Sequence, residues 1–417
     1  MKRILFSIYF ILFLAILANS QVISEFRNLG RTGVYHETGL LKQWPADGPK
    51  LLWYNDSLPA GHSSVSIVNN TIYLTGKTDS MDVLIAMDID GKIIWQVPYG
   101  RAWDQSFPES RCTPTIEGND IYVSSGLGDL AKIDATSGKI IWTIKAGEKF
   151  KAHFNAWGVA ESLIIKGDML FFSPIGKQTT TVALNKNTGE TIWQSESIGD
   201  SLAYVSPILV NYNKIDMIVN VGASYIFAVN AENGKILWKF KYIELNPPKE
   251  DWAPSINCTT PLYSDGHIYV NSGYDHVGAM LKMNEDASAV ELVYSDSLID
   301  THHGGVVKVG DYIYGSNWIN NGNGNWCCIE WKTGKARYET KWENKGSIIA
   351  NDGMLYCYEE KRGNIALVKA DPEKFEPIST LKVPYGKGPY WAHPVIKDGI
   401  LYVRHGGALM AYDIKNK

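Results

Sequence analysis

A stretch closing on Gly-Lys-Ile-Ile-Trp, or a near copy of it, returns again and again along this chain, and that recurrence limits what the chain can fold into. IYVSSGLGDLAKIDATSGKIIW, Ile121 to Trp142, has an apolar run, a glycine turn, a second run ending at Asp134, another turn, and a third run closing on tryptophan. IYLTGKTDSMDVLIAMDIDGKIIW ends the same way at Trp95, LFFSPIGKQTTTVALNKNTGETIW at Trp193 and MIVNVGASYIFAVNAENGKILW at Trp238. From Trp53 onward these closing tryptophans stand 42 to 51 residues apart, the period of a four-stranded propeller blade.

Weaker copies follow, ending at Tyr294, Tyr338 and Val383, and the last one, HPVIKDGILYVRHGGALMAYDIKNK, stops after its third strand. The missing fourth strand lies at the other end of the chain, where GPKLLWYND, Gly48 to Asp56, reads like a GKIIW strand with no preceding partner. The pattern therefore predicts an all-β, eight-bladed β-propeller of four-stranded antiparallel blades, closed by an N-terminal strand in the C-terminal blade. A ring of this kind lets every sheet bury both faces, whereas a linear array leaves two faces bare. The closing tryptophans are expected to pack between blades.

The predicted organisation is a signal peptide over 1–20, an N-terminal extension over 21–47 and one propeller over 48–417. MKRILFSIYFILFLAILANS has a basic start, an apolar run and small residues, Ala18 and Ser20, ahead of Gln21, a secretory pattern. No cysteine follows it before Cys112, so a lipid anchor is not indicated. The expectation is a periplasmic or secreted monomer without a stable membrane anchor. Forty Lys and Arg against 44 Asp and Glu give a net charge of −4, which provides no basic field and argues against nucleic acid as a partner. Five cysteines in irregular positions make neither a disulfide framework nor a zinc pattern. Cys327 and Cys328 are neighbours in an extended run, so they should face opposite sides of a strand as free, packed thiols.

The repeats, together with FRNLGRTGVYHETGLLKQWPADGPKLLW, NAWGVAESLII, THHGGVVKVGDYIYG, KGSIIANDGMLYC and WAHPVIKDGILYVR, resemble the pyrroloquinoline-quinone (PQQ) repeat superfamily and its bacterial PQQ-binding-like propellers. The resemblance implies a quinoprotein-like fold. It leaves function open, because the superfamily includes quinone-dependent alcohol dehydrogenases and the assembly lipoprotein BamB. The dehydrogenases hold PQQ between a tryptophan floor and a vicinal disulfide, with Ca²⁺ on carboxylate and amide oxygens. Here the vicinal cysteines fall inside NWCCIEW, at a third-strand position and away from any mouth loop. PQQ with calcium is thus a disfavoured cofactor, and no other cofactor or metal is assigned.

Aligning the repeats places Val65, Pro114, Leu163, Pro207, Pro261, Val306, Ile348 and Pro394 at the start of each blade's innermost strand. Residues just ahead of these should ring one mouth of the central channel. They are His62, Arg111, Glu161, Tyr204, Asn257, His302 with His303, Lys345, and Trp391 with His393, joined by His153 and Trp157 from the long connection KAGEKFKAHFNAWG. Arg111 and Lys345 suit a carboxylate, sulfate or phosphate. His302, His303 and His393 suit acid/base work or metal ligation, with Glu161 as a base, a partner to histidine or a counter-ion to Arg111. Trp157, Tyr204 and Trp391 offer flat faces to sugar rings, and His62, His153 and Asn257 add polar contacts.

The alternative is that this polar set only solvates a channel. The motif DTHHGGVVKVG, Asp300 to Gly310, holds the same ambiguity in miniature: its histidine pair is either a functional mouth or a polar loop entering a sheet. The sequence supports an exported propeller that binds, and if catalytic transforms by acid/base chemistry of lyase or hydrolase type, a small polar ligand such as an anionic carbohydrate. The alternatives are a PQQ-dependent alcohol or sugar dehydrogenase and a BamB-like assembly scaffold.

Overall fold

Lys50–Asn55 runs antiparallel to Ala408–Asp413, so two segments more than 350 residues apart share one sheet and close a ring. The structure is a computed structural model that describes residues 23–247 and 256–416; the expected signal peptide lies outside the described residues. There are eight sheets in strand order from channel to rim: blade 1 over 66–101, blade 2 over 115–145, blade 3 over 164–194, blade 4 over 208–240, blade 5 over 262–296, blade 6 over 307–340, blade 7 over 346–382, and blade 8 over 395–413 with Lys50–Asn55 outermost. Helix among the described residues is confined to Ala146–Lys149 and two single 3-10 turns. No helix among them is long and apolar enough to cross a membrane. Innermost strands begin within a residue of the positions read from the repeats, except in blade 7, where the strand starts at Gly346, two residues before Ile348.

Burial follows the repeat. Second and third strands such as Asp120–Ser124 and Asp129–Asp134 are buried almost throughout, since both faces meet a neighbouring blade, and they read as continuous apolar runs. The outermost strand Ile140–Lys145 alternates between half-buried and exposed. Four of the closing tryptophans, while pairing in their own outermost strand, lie over the turn glycine of the next blade. A Cβ on Gly91, whose φ is +87°, would come within 2.4 Å of the Trp53 ring, and Trp95, Trp142 and Trp193 cover Gly138, Gly189 and Gly234 in the same way. Trp53 Nε1–H also donates to the Ile89 carbonyl at 2.8 Å, and Trp142 Nε1–H to that of Lys186 at 3.1 Å. Glycine and tryptophan of the motif therefore serve one contact between successive blades.

The residue before each closing aromatic is the extra one in a β-bulge. Lys132 pairs with Trp142 and Ile133 with Ile140, leaving Ile141 unpaired, and all eight blades shift register at this place. This accounts for the exposed Leu52, Ile94, Ile141, Ile192, Val293 and Ile378, which stand on rim strands whose bulges interrupt the outer edge. Cys327 and Cys328 sit on opposite faces of Trp326–Glu330. One packs with Leu262 and Tyr269 of blade 5, the other with Ile348 and Cys357 of blade 7, and all five cysteines are unpaired.

Residues 26–33 cross the central channel. Ile23–Ser24 adds a strand inside blade 2 and Val34–Tyr35 pairs in parallel with blade 7. Between them, Arg31 donates to the carbonyls of Ser162 and Pro207 at 2.8 Å and of Leu163 at 2.7 Å. Arg27 reaches the carbonyls of Val306 and Ile348. Five inner-strand carbonyls from blades 3, 4, 6 and 7 thus find donors in two side chains. A chain starting at Ser57 lacks both the closing strand and this plug, and we expect it to lose more than about 3 kcal/mol of unfolding free energy; an unchanged urea midpoint would contradict ring closure.

Candidate active site in the channel mouth

The plug makes the channel blind. On one side of it lies a cavity of about 540 Å³, within the range of small-molecule sites. Phe26, Arg27, Gly305 and His393 are among its lining residues and join it to the plug. Eight of the twelve residues read from the sequence line it: His62, Arg111, Trp157, Tyr204, His302, His303, Trp391 and His393. They arrive from the connections that precede blades 1 to 4, 6 and 8. Trp391 sits amid the ring, 4.6 Å from His303, 5.0 Å from His62 and 5.3 Å from Phe107 between ring centroids.

Four expected members are placed elsewhere. Glu161 is buried against blade 3, where Oε2 accepts from the Ser173 N–H at 3.1 Å. Asn257 donates to the carbonyls of Gly222 and Ala223. In both cases the adjoining residue, Ala160 or Cys258, faces the cavity instead, as period-2 alternation requires when the register slips by one. Lys345 is fully buried behind the wall, with Nζ 3.0 Å from Glu360 Oε1 and 2.8 Å from the Asn320 carbonyl. His153 is exposed beside the Asp200 carbonyl. None of these four lines the cavity.

The motif DTHHGG can now be followed residue by residue. Asp300 accepts the backbone N–H groups of Asp275 and Trp318 at 3.1 and 2.7 Å, tying together the two loops that bear Tyr274 and Trp318. His302 Nδ1 lies 3.4 Å from Glu360 Oε2, and its Nε2 is 2.8 Å from the Tyr274 hydroxyl. His303 turns into the cavity. Gly304 lies so close to the Gly346 carbonyl that a Cβ would come within 1.8 Å of it. Gly305, with φ +64°, leaves room for Arg27, whose Nη1 would stand 2.4 Å from a Cβ there. The glycines thus serve the plug and the neighbouring blade, while the histidines serve the cavity.

The imidazoles differ in what they leave available. His393 is held by both nitrogens: Nδ1 accepts from Arg27 at 2.8 Å and Nε2–H donates to the His303 carbonyl at 3.0 Å. That sets its tautomer and removes it as an acid/base group. Burial, with Arg27 beside it, keeps it neutral. Burial, then His302, His62, Arg111 and His393 around it, push His303 well below the ordinary histidine range. His62 is likewise lowered, mainly by burial, with Glu109 at 3.5 Å opposing incompletely. Nδ1 of His62 has no hydrogen-bond partner and Nε2 has only the long Glu109 contact, although the side chain is only 8% exposed.

Sequence reasoning missed Arg27, Tyr274 and Glu360. Tyr274 and Glu360 lie in loops between second and third strands, outside the positions the repeat alignment marks. Arg27 belongs to FRNLGRTG, where two arginines set among glycines were the available signal.

A family model described as outer membrane protein assembly factor BamB matches residues 80–335. The chain belongs to this BamB-type PQQ-repeat family. Relatives are distant: BamB of Salmonella typhimurium is 22% identical over 54% of this chain and 50% of its own length. A quinoprotein ethanol dehydrogenase of Pseudomonas aeruginosa is 24% identical over 34% and 25%, and a Rickettsia conorii protein 27% over 41% and 38%. The chain thus spans half or less of the length of these relatives. Among solved structures, BamB of Moraxella catarrhalis superposes with a TM-score of 0.62 at 14% identity, covering 88% of this chain and 99% of that one. A quinohemoprotein alcohol dehydrogenase of Pseudomonas putida gives 0.58 at 13%, covering 88% and 76%. These likenesses establish the fold.

The donor set of this BamB-family cavity does not suit PQQ with calcium. Glu360 is the one carboxylate among the lining residues, and Lys345 and His302 already hold it, whereas a hard cation needs several oxygen donors. No group of three His, Cys, Asp or Glu side chains among the described residues is arranged to hold a metal. The vicinal cysteines are buried on opposite faces of a strand, away from the mouth.

Burial raises three carboxyl groups around the channel: Asp82 and Asp300 to about 7 and Glu161 to about 8. A carboxyl raised in the folded state stabilises below its unfolded value and loses that contribution as pH climbs to the folded one. The lowered histidines act oppositely, withdrawing stability below about pH 6.5. Glu161→Gln removes only the first effect. The difference in unfolding free energy between variant and wild type should therefore shift in the variant's favour by on the order of 4 kcal/mol between pH 4.5 and pH 8. Paired urea titrations check this, and a pH-independent difference would contradict it.

Proposed function

We propose that this BamB-family propeller is an exported binding protein for a small anionic ligand with a flat or ring-shaped body, an acidic sugar being the class that fits best. The observation that carries this reading is His62: a buried imidazole in the cavity wall whose Nδ1 has no partner and whose Nε2 has only Glu109 Oε2 at 3.5 Å, beside Arg111 and Trp391. Buried polar atoms nearly always have partners, so a wall that leaves them open is suited to a ligand that supplies them. His303 adds a neutral ring that can donate from one nitrogen and accept at the other.

Charge supports an anion. Arg27 remains a cation at neutral pH although burial lowers it to about 10, and Arg111 and Lys361 join it. Against these stand Glu360, matched already by Lys345, and Glu109, which faces His62 and Arg111. Trp391, Trp157, Tyr204 and Phe107 offer rings for stacking on the apolar faces of a sugar. Arg111 is placed by donating from Nη2 to the carbonyls of Ser106 and Phe107. Export is supported by the leader-like residues 1–20 and by relatives named as outer membrane assembly factors.

A second reading, a protein-assembly scaffold, is supported by the family's description. It predicts partner contacts that do not depend on the cavity.

Titration of tryptophan fluorescence with glucuronate, galacturonate, their short oligomers and the matching neutral sugars tests the first reading. Acidic sugars should bind, neutral ones at least tenfold more weakly. Arg111→Met and Trp391→Ala should each weaken binding by tenfold or more with little change in melting temperature. Binding unaffected by either variant, or no discrimination by charge, would overturn the proposal.

A further inference from the structure

Tyr274 carries an unusual backbone conformation for an aromatic residue. Its φ is +70° and that of Asp275 is +60°; the blade hairpins at Asn69–Asn70 and Asn213–Lys214 use the same left-handed pair, but a bulky aromatic in it is costly and persists only where surrounding structure enforces it. The enforcement is visible: Asp300 grips the Asp275 N–H, and Trp318 packs on the Tyr274 ring with centroids 5.3 Å apart. The result directs the phenol into the cavity and against His302. Behind His302 stands Glu360, and behind Glu360 the buried ammonium of Lys345. His303 flanks the same imidazole on the other side, 3.6 Å away between ring centroids.

This is a polarised set: a hydroxyl in hydrogen-bond contact with an oriented imidazole and, through it, a carboxylate, next to an imidazole that has no hydrogen-bond partner among the described residues. Resting on the acidic-sugar reading, we propose that the cavity catalyses β-elimination of uronic-acid glycosides, with Tyr274 as general acid, His303 as general base and Arg111 holding the uronate carboxylate. The atoms balance without a redox partner. His303 removes the proton on C5, α to the carboxylate; the C5–H electron pair forms the C4=C5 double bond; the C4–O4 bond breaks; and O4 departs with the Tyr274 proton. Return of the proton from His303 to the Tyr274 oxygen through solvent resets both groups.

Burial keeps Tyr274 protonated, helped by Cys258, Glu360 and Tyr204 facing it, so it is an acid at neutral pH. His303 is neutral because burial, and then the imidazoles and Arg111 around it, lower its proton affinity. A bound carboxylate offsets the part that comes from those neighbouring charges, so the base strengthens when substrate arrives. His302, Glu360 and Lys345 are positioning residues.

The experiment incubates the full chain with oligogalacturonate, oligomannuronate, oligoguluronate and oligoglucuronate, following binding by tryptophan fluorescence and turnover by the ultraviolet absorbance of the conjugated C4=C5 carboxylate. At least one oligomer should bind and yield the unsaturated product. Tyr274→Phe, checked by melting temperature for folding, should bind within threefold of wild type while losing about 100-fold or more in turnover. Glu360→Gln tests positioning: it should displace the pH profile of turnover, and His302→Gln serves if that variant does not fold. Binding without product, or full turnover by Tyr274→Phe, overturns the elimination chemistry and leaves the binding reading intact. Absence of binding by every uronate oligomer and monomer overturns the binding reading itself.

Discussion

The inner edges of eight sheets face one channel, and their free carbonyl groups are the constraint around which this molecule is arranged. A sheet edge is a row of unmet hydrogen-bond capacity, and a ring turns eight of them toward a common axis too narrow to be left bare. The solution here is a short segment of the same chain. Two arginines, each a planar fork of donors, reach carbonyls in blades 3, 4, 6 and 7, while two-residue strands extend blades 2 and 7 inward. Because the fork is occupied by backbone, Arg27 fixes His393 in one tautomer. The scaffold thereby sets the chemistry of a cavity residue through a single contact.

At the rim the problem differs. Outer strands also expose an edge, and they carry aliphatic residues on it. The bulge repeated in each blade bends that edge and removes one residue from the ladder, so a second sheet cannot pair in register. The same extra residue sets where the closing aromatic falls, over the turn glycine of the next blade. Inner and outer edges are thus handled by separate devices, one supplied once by the N-terminal segment and one supplied by each repeat.

Much of this was legible in the order of residues. Periodicity exposed the eight blades, and GPKLLWYND revealed closure because an unpaired strand has no other place to go. Connections between blades were identified as the mouth, and eight of their side chains meet there. What escaped legibility did so for stated reasons. Alternation at Glu161 and Asn257 depends on a single residue of register, which repeats of uneven length cannot fix. Tyr274 and Glu360 are brought to His302 by the closeness of blades 5, 6 and 7, a contact with no trace in spacing. Lys345 reads as a ligand-binding cation until its partner Glu360 is known. Of the double glycine after the histidines, Gly305 answers to Arg27, nearly 280 residues away, and Gly304 to the Gly346 carbonyl of the next blade, and no local pattern could have announced that.

The N-terminal segment also orders events in time. Residues 23–55 precede every blade in the chain, yet their strand partners are blades 2, 7 and 8 and their arginines also reach blades 3, 4 and 6, so the portion synthesised early must wait for the portion synthesised late. Contacts of such long sequence separation are slow to form, and until they do, a nearly complete array has open ends and an unfilled axis. The cavity floor does not exist in that intermediate, because Phe26 and Arg27 build it. A ligand for this cavity would therefore recognise only chains whose assembly has finished, and by mass action would draw the population toward them.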